Sequence, residues 1–384
     1  MLRVTRLSAP TKVLMVASYP NVPRVWRMAR TLKMAGLQVE VLEWDRSAIL
    51  PRVASIDGIK VTRLGLRGPF GSKAIFWLPF WLLYACIFAL KNRYSMLQLQ
   101  NFDNLFLPML LRSFLRYKIV YDLADFYADA YIQGNGQLAK LIGRLERGMI
   151  ERVDALILVS EGQLQQTGNN LPSCWNVIYN TPMNEEMQEN FSAGERSSPK
   201  KNAISLFYGG VLSKDRSLPL LNLLDALRGL EGIKINVAGF GEMEETIKTR
   251  LLNNPNGDYL GALSRSQVMR YTADCDCVVI PYDKSLLNNR IGLPNKFFEG
   301  LAEAKPLLTS KQTYAGQIVE HAKCGFSTDF SVIEDITHTL EIMRDQKEEL
   351  KLMGRRGRML FDQKYNWSIM ERRLMTIFDC VLKK

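Results

Sequence analysis

Short apolar runs alternate with longer amphipathic stretches along this 384-residue chain. The runs at 12–18, 38–44, 61–66, 96–100, 118–123, 155–160 and 175–179 are short and separated by helical stretches, so they read as strands of a parallel sheet. Helical stretches lie between them, the clearest at 22–35, ending near Gly36. Residues 181–203 break the rhythm with Pro182, Gly194, Pro199, several Glu and Ser, and few apolar positions, the composition of a linker. The rhythm restarts at 204–208, with a helix over 217–227 and strands at 234–238, 259–260, 277–281, 306–309 and 325–327. An amphipathic helix over 367–382 closes the chain, with Ile369, Leu374, Ile377, Phe378 and Val381 on its apolar side. The pattern predicts two α/β domains, each a doubly wound parallel sheet, flanking a cleft. Ligands in such sheets bind beyond the carboxyl ends of the strands.

Composition narrows the class. Hydrophobic residues make up 47% of the chain, which is that of a folded protein. The six cysteines are scattered without a CxxC, and the two histidines are His321 and His338. A zinc site and a disulfide framework are therefore not expected, and a reducing, cytoplasmic compartment is. The N-terminal ten residues have no long apolar core and do not read as a signal peptide. The net charge of +11 is one-sided: 22 Lys+Arg against 12 Asp+Glu through Asn180, and 28 against 27 thereafter. A basic first half suggests a polyanionic partner, a membrane surface or nucleic acid.

Residues 293–310 carry the most chemistry. Pro294 suits a first helical turn, where its missing N–H costs nothing. The N–H groups of that turn make an anion site, and Lys296 adds positive charge. Glu299 lies one turn beyond Asn295, so both can face one ligand. A carboxylate suits paired ribose hydroxyls, and the helix end suits a diphosphate. The alternative is an amphipathic helix with a surface Glu and Lys.

This stretch, Leu293-Pro294-Asn295-Lys296-Phe297-Phe298-Glu299 followed by Ala304-Lys305-Pro306, resembles the donor-binding motif of the group 1 glycosyltransferases, glycosyltransferase family 4 with the GT-B fold. The resemblance implies that Glu299 binds the ribose of a nucleotide-sugar and that the backbone at Pro294–Lys296 lies along its diphosphate. Many members carry a second Glu eight residues earlier; here that position is Ile291. The sugar-side contact then falls to Asp283, Asn288 or Asn289. Weaker likenesses run through the first half, at Tyr19–Val25, at 146–160 and at 177–180. The family's organisation implies an acceptor-binding domain over 1–182, a linker over 183–203, a nucleotide-sugar domain over 204–365 and a helix, 366–384, crossing back to the first domain.

Other donor-side candidates follow. Gly209 and Gly210 end a strand in a glycine turn, with Lys214, Asp215 and Arg216 just beyond. Glycines let backbone approach a phosphate, and a cation beside them neutralises it. The resemblance implies a pyrophosphate contact by a basic residue here, Arg216 first and Lys214 second. Gly239 and Gly241 are half of a GxGxxG, and the family has a similar Gly-x-Gly lining its nucleotide site. Leu260-Gly261 falls where the family contacts the base. Asp274-Cys275-Asp276 matches a metal-binding DxD but precedes a buried strand, so no metal and no cofactor are expected.

The leaving diphosphate is the main charge to stabilise, and Arg216, Lys296 and the helix end at Asn295 supply the opposing charge. In the first half, Asp122 and Asp125 end a strand where a catalytic loop belongs. Related sequences often have a His two residues after the first of these; here it is Ala124, which leaves Asp125 as the candidate base. The alternative for Asp125 is a helix cap. Retention of configuration is implied by the family alone.

Residues 74–90 are seventeen without a charge, about 25 Å as a helix. Trp77, Trp81, Tyr84 and Phe88 recur at helical spacing, and Lys60, Arg63, Arg67, Lys73, Lys91 and Arg93 flank the run. An interfacial helix needs aromatics beside cations; a buried core helix is the plainer alternative. Arg24 in the first loop, with Arg63, Arg67, Lys73, Trp77 and Trp81, is the expected acceptor and membrane side. The expected function is transfer of a sugar from a nucleotide-sugar to a lipid-linked or glycan acceptor, by a peripheral protein at the inner face of the cell membrane. A nucleotide-sugar epimerase of the same architecture and a basic nucleic-acid-binding protein are the alternatives.

Overall fold

The computed structural model describes residues 11–69, 76–112, 117–131, 136–168, 171–188 and 203–383; at Tyr131, Gln188, Asp215 and Arg216 it describes the backbone alone. The chain forms two compact units. One comprises residues 1–178 with 370–384, the other residues 179–369.

The first unit is built on strands β1 (Lys12–Ala17), β2 (Gln38–Asp45), β3 (Val53–Ile56), β4 (Ile59–Gly65), β5 (Met96–Gln100), β6 (Lys118–Leu123), β7 (Ala155–Leu158) and β8 (Cys174–Val177). Their order is β3-β4-β2-β1-β5-β6-β7-β8, and only β3 runs antiparallel to its neighbour. The central strands are apolar on both faces because helices cover both. The expected strand at 61–66 is β4 within a hairpin whose other arm, β3, the periodicity missed. Its turn is Asp57-Gly58, with φ of 52° and 67°, the backbone that a two-residue hairpin requires.

Right-handed crossovers decide which helices share a face. The chain steps from β1 to β2 in one direction across the sheet. It then steps the other way from β4 to β5, β5 to β6 and β6 to β7. The helices Leu78–Asn92, Phe102–Leu111 and Gln137–Ile150 therefore cover one face, and Pro23–Met34 covers the other.

In the second unit, β9 (Ile204–Val211), β10 (Ile233–Phe240), β11 (Gly257–Gly261), β12 (Cys277–Ile280), β13 (Leu307–Ser310) and β14 (Gly325–Thr328) form an all-parallel sheet ordered β11-β10-β9-β12-β13-β14. The order reverses between β9 and β12, the switch point at which such sheets open a crevice. Its core is a continuous apolar cluster including Leu206, Tyr208, Leu224, Ile235 and Val279. The segment expected as a linker contains a short helix, Asn184–Gln188, and its residues 189–202 lie outside the described residues.

Two expectations are corrected here. Cys174 and Cys380 form a disulfide, Cα–Cα 5.9 Å, joining β8 to the last helix, Trp367–Leu382. Scattered spacing hid the pair because the bridge closes a separation of 206 residues. The helix expected over 74–90 is Leu78–Asn92, because Pro79 sits in its first turn and Arg93 ends it in a left-handed C-cap at φ 49°. Residues 74 and 75 lie outside the described residues.

Candidate functional site

The helix Asn295–Ala302 anchors the site of the second unit. Pro294 is its N-cap, extended at φ −75° and ψ 160°, one position earlier than expected; Phe297 N–H closes the turn onto its carbonyl at 2.9 Å. Phe297 and Phe298 are fully buried and pack edge-on around Tyr365, at 5.9 and 5.3 Å between ring centres. Tyr179 joins the cluster 5.5 Å from Phe298. Each such burial contributes about 2–3 kcal/mol, and together the rings fix the helix end. Tyr365 belongs to a π-helical turn, Phe361–Tyr365, between two α-helices. Gly300 lets the helix lie close on the sheet, since a Cβ there would stand 2.5 Å from a Leu307 methyl and 3.3 Å from one of Val278.

Glu299 is 3% exposed. Arg265 donates to its Oε1 and holds it in an ion pair. Arg265 opens the helix Arg265–Asp274, whose start is set by a capping box between Ser264 and Gln267. Lys296 turns towards the glycine strand: its Nζ stands 3.7 Å from the Tyr208 ring centre. A Cβ on Gly210 would come within 3.0 Å of that amine. Asn295 Oδ1 accepts from Asn180 Nδ2 at 2.6 Å.

The two glycine turns are neighbours. Gly209 and Gly210 on β9 pair with Ala238 and Gly239 on β10. A Cβ on Gly239 would fall 1.9 Å from the Gly210 carbonyl oxygen, and one on Gly241 would fall 2.6 Å from that of Leu212. With φ of 156° and 149° as well, both positions require glycine. Lys214 opens the helix Lys214–Leu227, exposed, and its N–H donates to Glu242 at 2.8 Å. The backbone of Arg216 lies in the same first turn; its side chain lies outside the described residues. Leu260 is on β11, half-buried. Asp283 follows β12, where it accepts from Ser285 N–H at 2.8 Å and lines a cavity with Lys284, Lys311 and Asp329. The structure thus gathers Tyr208, Gly210, Gly239 and Lys296 into one patch, with Asn295 and Glu299 on the same helix as Lys296. Arg265 and Tyr208 were missed. Arg265 lies far from the motif in sequence, and Tyr208 reads as a plain strand residue.

Asp274 ends its helix near Arg270, and Asp276 Oδ2 accepts from Ser205 N–H at 2.9 Å. That pins the DxD to the start of β9, the opposite end of the strands from the glycine turns. Among the described residues no cluster of His, Cys, Asp and Glu is suited to a metal.

In the first unit, three surface candidates are corrected. Arg24 is 3% exposed: its Nε and Nη2 grip Asp122 at 2.8 to 3.1 Å, and its Nη1 donates to the Ile178 carbonyl at 2.5 Å. Arg63 is buried against Glu43 at 2.9 Å. Trp81 is fully buried, stacked on Trp44 with its indole N–H on Asn104 at 2.8 Å. Arginines from β4 and the helix Pro23–Met34 alike are needed to neutralise buried carboxylates, so part of the positive charge never reaches the surface. Arg67 and Trp77 are exposed, and Lys73 lies outside the described residues. Asp125 is exposed beyond β6, its N–H donating to Asn101 Oδ1 at 3.1 Å.

Two family descriptions match the sequence: the glycosyl transferase 4-like domain over residues 22–172 and the glycosyl transferases group 1 over residues 188–359. The chain belongs to the group 1 glycosyltransferases and has their GT-B fold. Solved structures agree on the fold across essentially the whole length. The sucrose-phosphate synthase of Thermosynechococcus elongatus superposes with a TM-score of 0.80 at 12% identity, covering 97% of this chain and 99% of that one. HepE of Anabaena, in complex with UDP-glucose, superposes with a TM-score of 0.67 at 15% identity, covering 96% and 99%. WaaG, a glycosyltransferase involved in lipopolysaccharide biosynthesis, gives 0.67 at 15%, covering 95% and 99%. No curated protein matches the sequence.

Proposed function

We propose that this glycosyltransferase takes its sugar from a nucleotide-sugar held by the second unit and passes it to a lipid-linked or glycan acceptor. The observation that carries the reading is the patch formed by Gly210, Gly239, Tyr208 and Lys296 at the switch point between β9 and β12, with Glu299 one helical turn beyond Lys296. Glu299 holds the ribose hydroxyls, oriented by Arg265. The backbone from Pro294 to Lys296 and the turns at Gly209, Gly210, Gly239 and Gly241 accommodate the diphosphate. Lys296, Lys214 and Arg216 oppose the charge that builds on it as the sugar leaves. The base sits against the backbone at Leu260, the sugar against Asp283, and Asp125 serves the acceptor hydroxyl. With cations and a helix end in this role, transfer proceeds without a metal and survives EDTA; retention of configuration is proposed on the family resemblance alone. HepE's complex with UDP-glucose favours a uridine donor among the candidates.

An anionic membrane surface at the cell's inner face is the proposed setting. The support is one apolar face of the first unit. Phe80, Leu83, Ile87 and Leu90 project outward from the helix Leu78–Asn92, with Phe76 and Trp77 at its start. Phe106 and Leu110 follow from the adjacent helix, and Leu138, Leu141 and Leu145 from Gln137–Ile150. Arg67, Lys91, Arg93, Lys140 and Arg144 are exposed on the same elements or beside them. Among the described residues no helix is long and apolar enough to cross a membrane, so the face would lie on the lipid.

A thermal-shift series with UDP-, GDP-, ADP- and CDP-sugars tests the donor reading, because a ligand bound by the folded state raises its stability. One nucleotide series should raise the midpoint in the wild type and fail to do so in Glu299→Ala. Absence of a shift with every series would overturn the reading.

A further inference from the structure

The carboxyl ends of the second sheet carry two distinct places. One is the pair of glycine turns on β9 and β10, with Lys296 beside them. The other lies at the ends of β12, β13 and β14, the opposite half of the sheet. It is a cavity of about 380 Å³, within the size range of small-molecule sites. None of Gly210, Gly239, Lys296 and Glu299 lines it, and of the donor-side candidates only Asp283 does.

Its lining suits a ligand with hydroxyls. Thr328, the last residue of β14, is fully buried in the cavity wall, and its Oγ1 has no hydrogen-bond partner among the described residues. A native exception of this kind asks for a reason. The turn after β13 brings Lys311 to the same wall: its N–H donates to the Thr328 carbonyl at 2.9 Å, and Gln312 follows at a left-handed φ of 61°. Asn222, on the helix Lys214–Leu227, commits Nδ2 to the Phe330 carbonyl at 2.8 Å, which leaves its Oδ1 to accept. Leu218 and Pro219 of that helix add an apolar wall.

Charge decides the ligand class. Two cations, Lys284 and Lys311, share the lining with two carboxylates, Asp283 and Asp329. Lys284 Nζ donates to Asp329 Oδ2 at 2.5 Å, and the Ser331 N–H and hydroxyl donate to Oδ1 at 3.0 and 2.5 Å. Burial acts to raise the Asp329 carboxyl, but these bonds bring it down to about 2, so it is ionised at neutral pH. Lys311 Nζ stands 3.7 Å from Asp335 as well. An anion therefore meets no excess of positive charge here. A neutral polyhydroxyl ligand uses both kinds of group, because carboxylates accept and ammonium groups donate.

We propose that this cavity binds a neutral monosaccharide, at a site separate from that of the nucleotide-sugar. Thr328 Oγ1, Asn222 Oδ1 and the Lys311 ammonium engage its hydroxyls, and its C–H face lies on Leu218 and Pro219. The proposal does not depend on the donor reading. The helix Lys214–Leu227 joins the two places: its first turn carries Lys214 and Arg216, and the residues that follow wall the cavity. Asp283 borders both.

Saturation-transfer NMR on the full chain tests it, with glucose, galactose, mannose and N-acetylglucosamine each added alone. At least one sugar should give a signal that saturates with concentration. Thr328→Val keeps nearly the same shape without the hydroxyl. It should weaken binding about tenfold, the scale of one hydrogen bond, and Thr328→Ser should restore it. Lys311→Met should weaken binding to a similar extent. Thermal midpoints close to that of the wild type would show that the variants are folded, and should Thr328→Val fail to fold, Lys311→Met carries the comparison. Inorganic phosphate should not displace the sugar, and UDP-glucose should bind without displacing it. The proposal is overturned by the absence of a saturable signal with every sugar, by equal binding in wild type and both variants, or by displacement with phosphate. Displacement by UDP-glucose would also overturn it and give the cavity to the donor's own sugar. Failure of UDP-glucose to bind, with a sugar signal that still depends on Thr328, would support this site and count against the donor reading alone.

Discussion

Arg265, at the start of the helix Arg265–Asp274, pairs with Glu299 on the adjacent helix, a carboxylate that is 3% exposed and would otherwise be buried without a counter-charge. In the proposed donor site, Arg265 would act on the nucleotide through Glu299. Arg265→Ala should weaken nucleoside diphosphate binding by about 1–3 kcal/mol. In a double-mutant cycle with Glu299→Ala the two losses should not add, as expected for residues in contact. Additive losses in calorimetry would separate Arg265 from the site.

The motif at 293–310 was legible because its chemistry is local: a proline, a cation and a carboxylate within two helical turns. The alternation of strands and helices was legible for the same reason. What escaped depends on tertiary partners. Nothing near Arg63 in the chain announces that Glu43, two strands away in sequence and next door in the sheet, will bury it. Trp77 and Trp81 have the same helical spacing as an interfacial pair, yet Trp44 and Asn104 claim Trp81 for the core. The β3–β4 hairpin is a different case, since its Asp57-Gly58 turn signal was present in the sequence.

The proposed membrane setting gives a prediction that the buried Arg63 changes. Binding to anionic vesicles should depend on outward apolar residues. Phe80→Ser with Leu83→Ser, or Leu138→Ser with Leu141→Ser, should reduce vesicle flotation while leaving the fold and nucleotide binding intact. Each exposed basic residue contributes about 1 kcal/mol near an anionic leaflet, so higher salt should weaken binding further. Flotation unaffected by both pairs would assign the face to something other than lipid.

Peptide mapping without reductant should recover Cys174 linked to Cys380. A bridge closing so long a loop stabilises by up to ~5 kcal/mol. Reductant should therefore lower the thermal midpoint of the wild type and leave Cys174→Ala unmoved. Two free thiols at these positions in the isolated protein would contradict the pairing.

Glu146 is fully buried, accepting from the Tyr121 hydroxyl at 2.7 Å and the Tyr127 N–H at 2.9 Å. Burial raises its carboxyl from 4.5 to about 8, against those hydrogen bonds. A folded-state value above the unfolded one means that the folded protein holds the proton more tightly. The associated stability is complete below about 4.5 and is lost as pH rises through about 8. Glu146→Gln, which cannot ionise, should flatten the fall in stability across that window, by ~5 kcal/mol at most. Parallel pH profiles for the two proteins would place the Glu146 carboxyl at its ordinary value.

Calorimetry of UDP binding to the wild type, Glu299→Ala and Lys296→Ala tests the central claim most directly. If the second unit holds a nucleotide-sugar as described, the wild type binds and Glu299→Ala loses about 1–3 kcal/mol through the ribose. Lys296→Ala should retain more affinity for uridine than for UDP, because its amine meets the diphosphate. Wild-type affinity for UDP in Glu299→Ala, with Lys296→Ala likewise unchanged, would contradict the account.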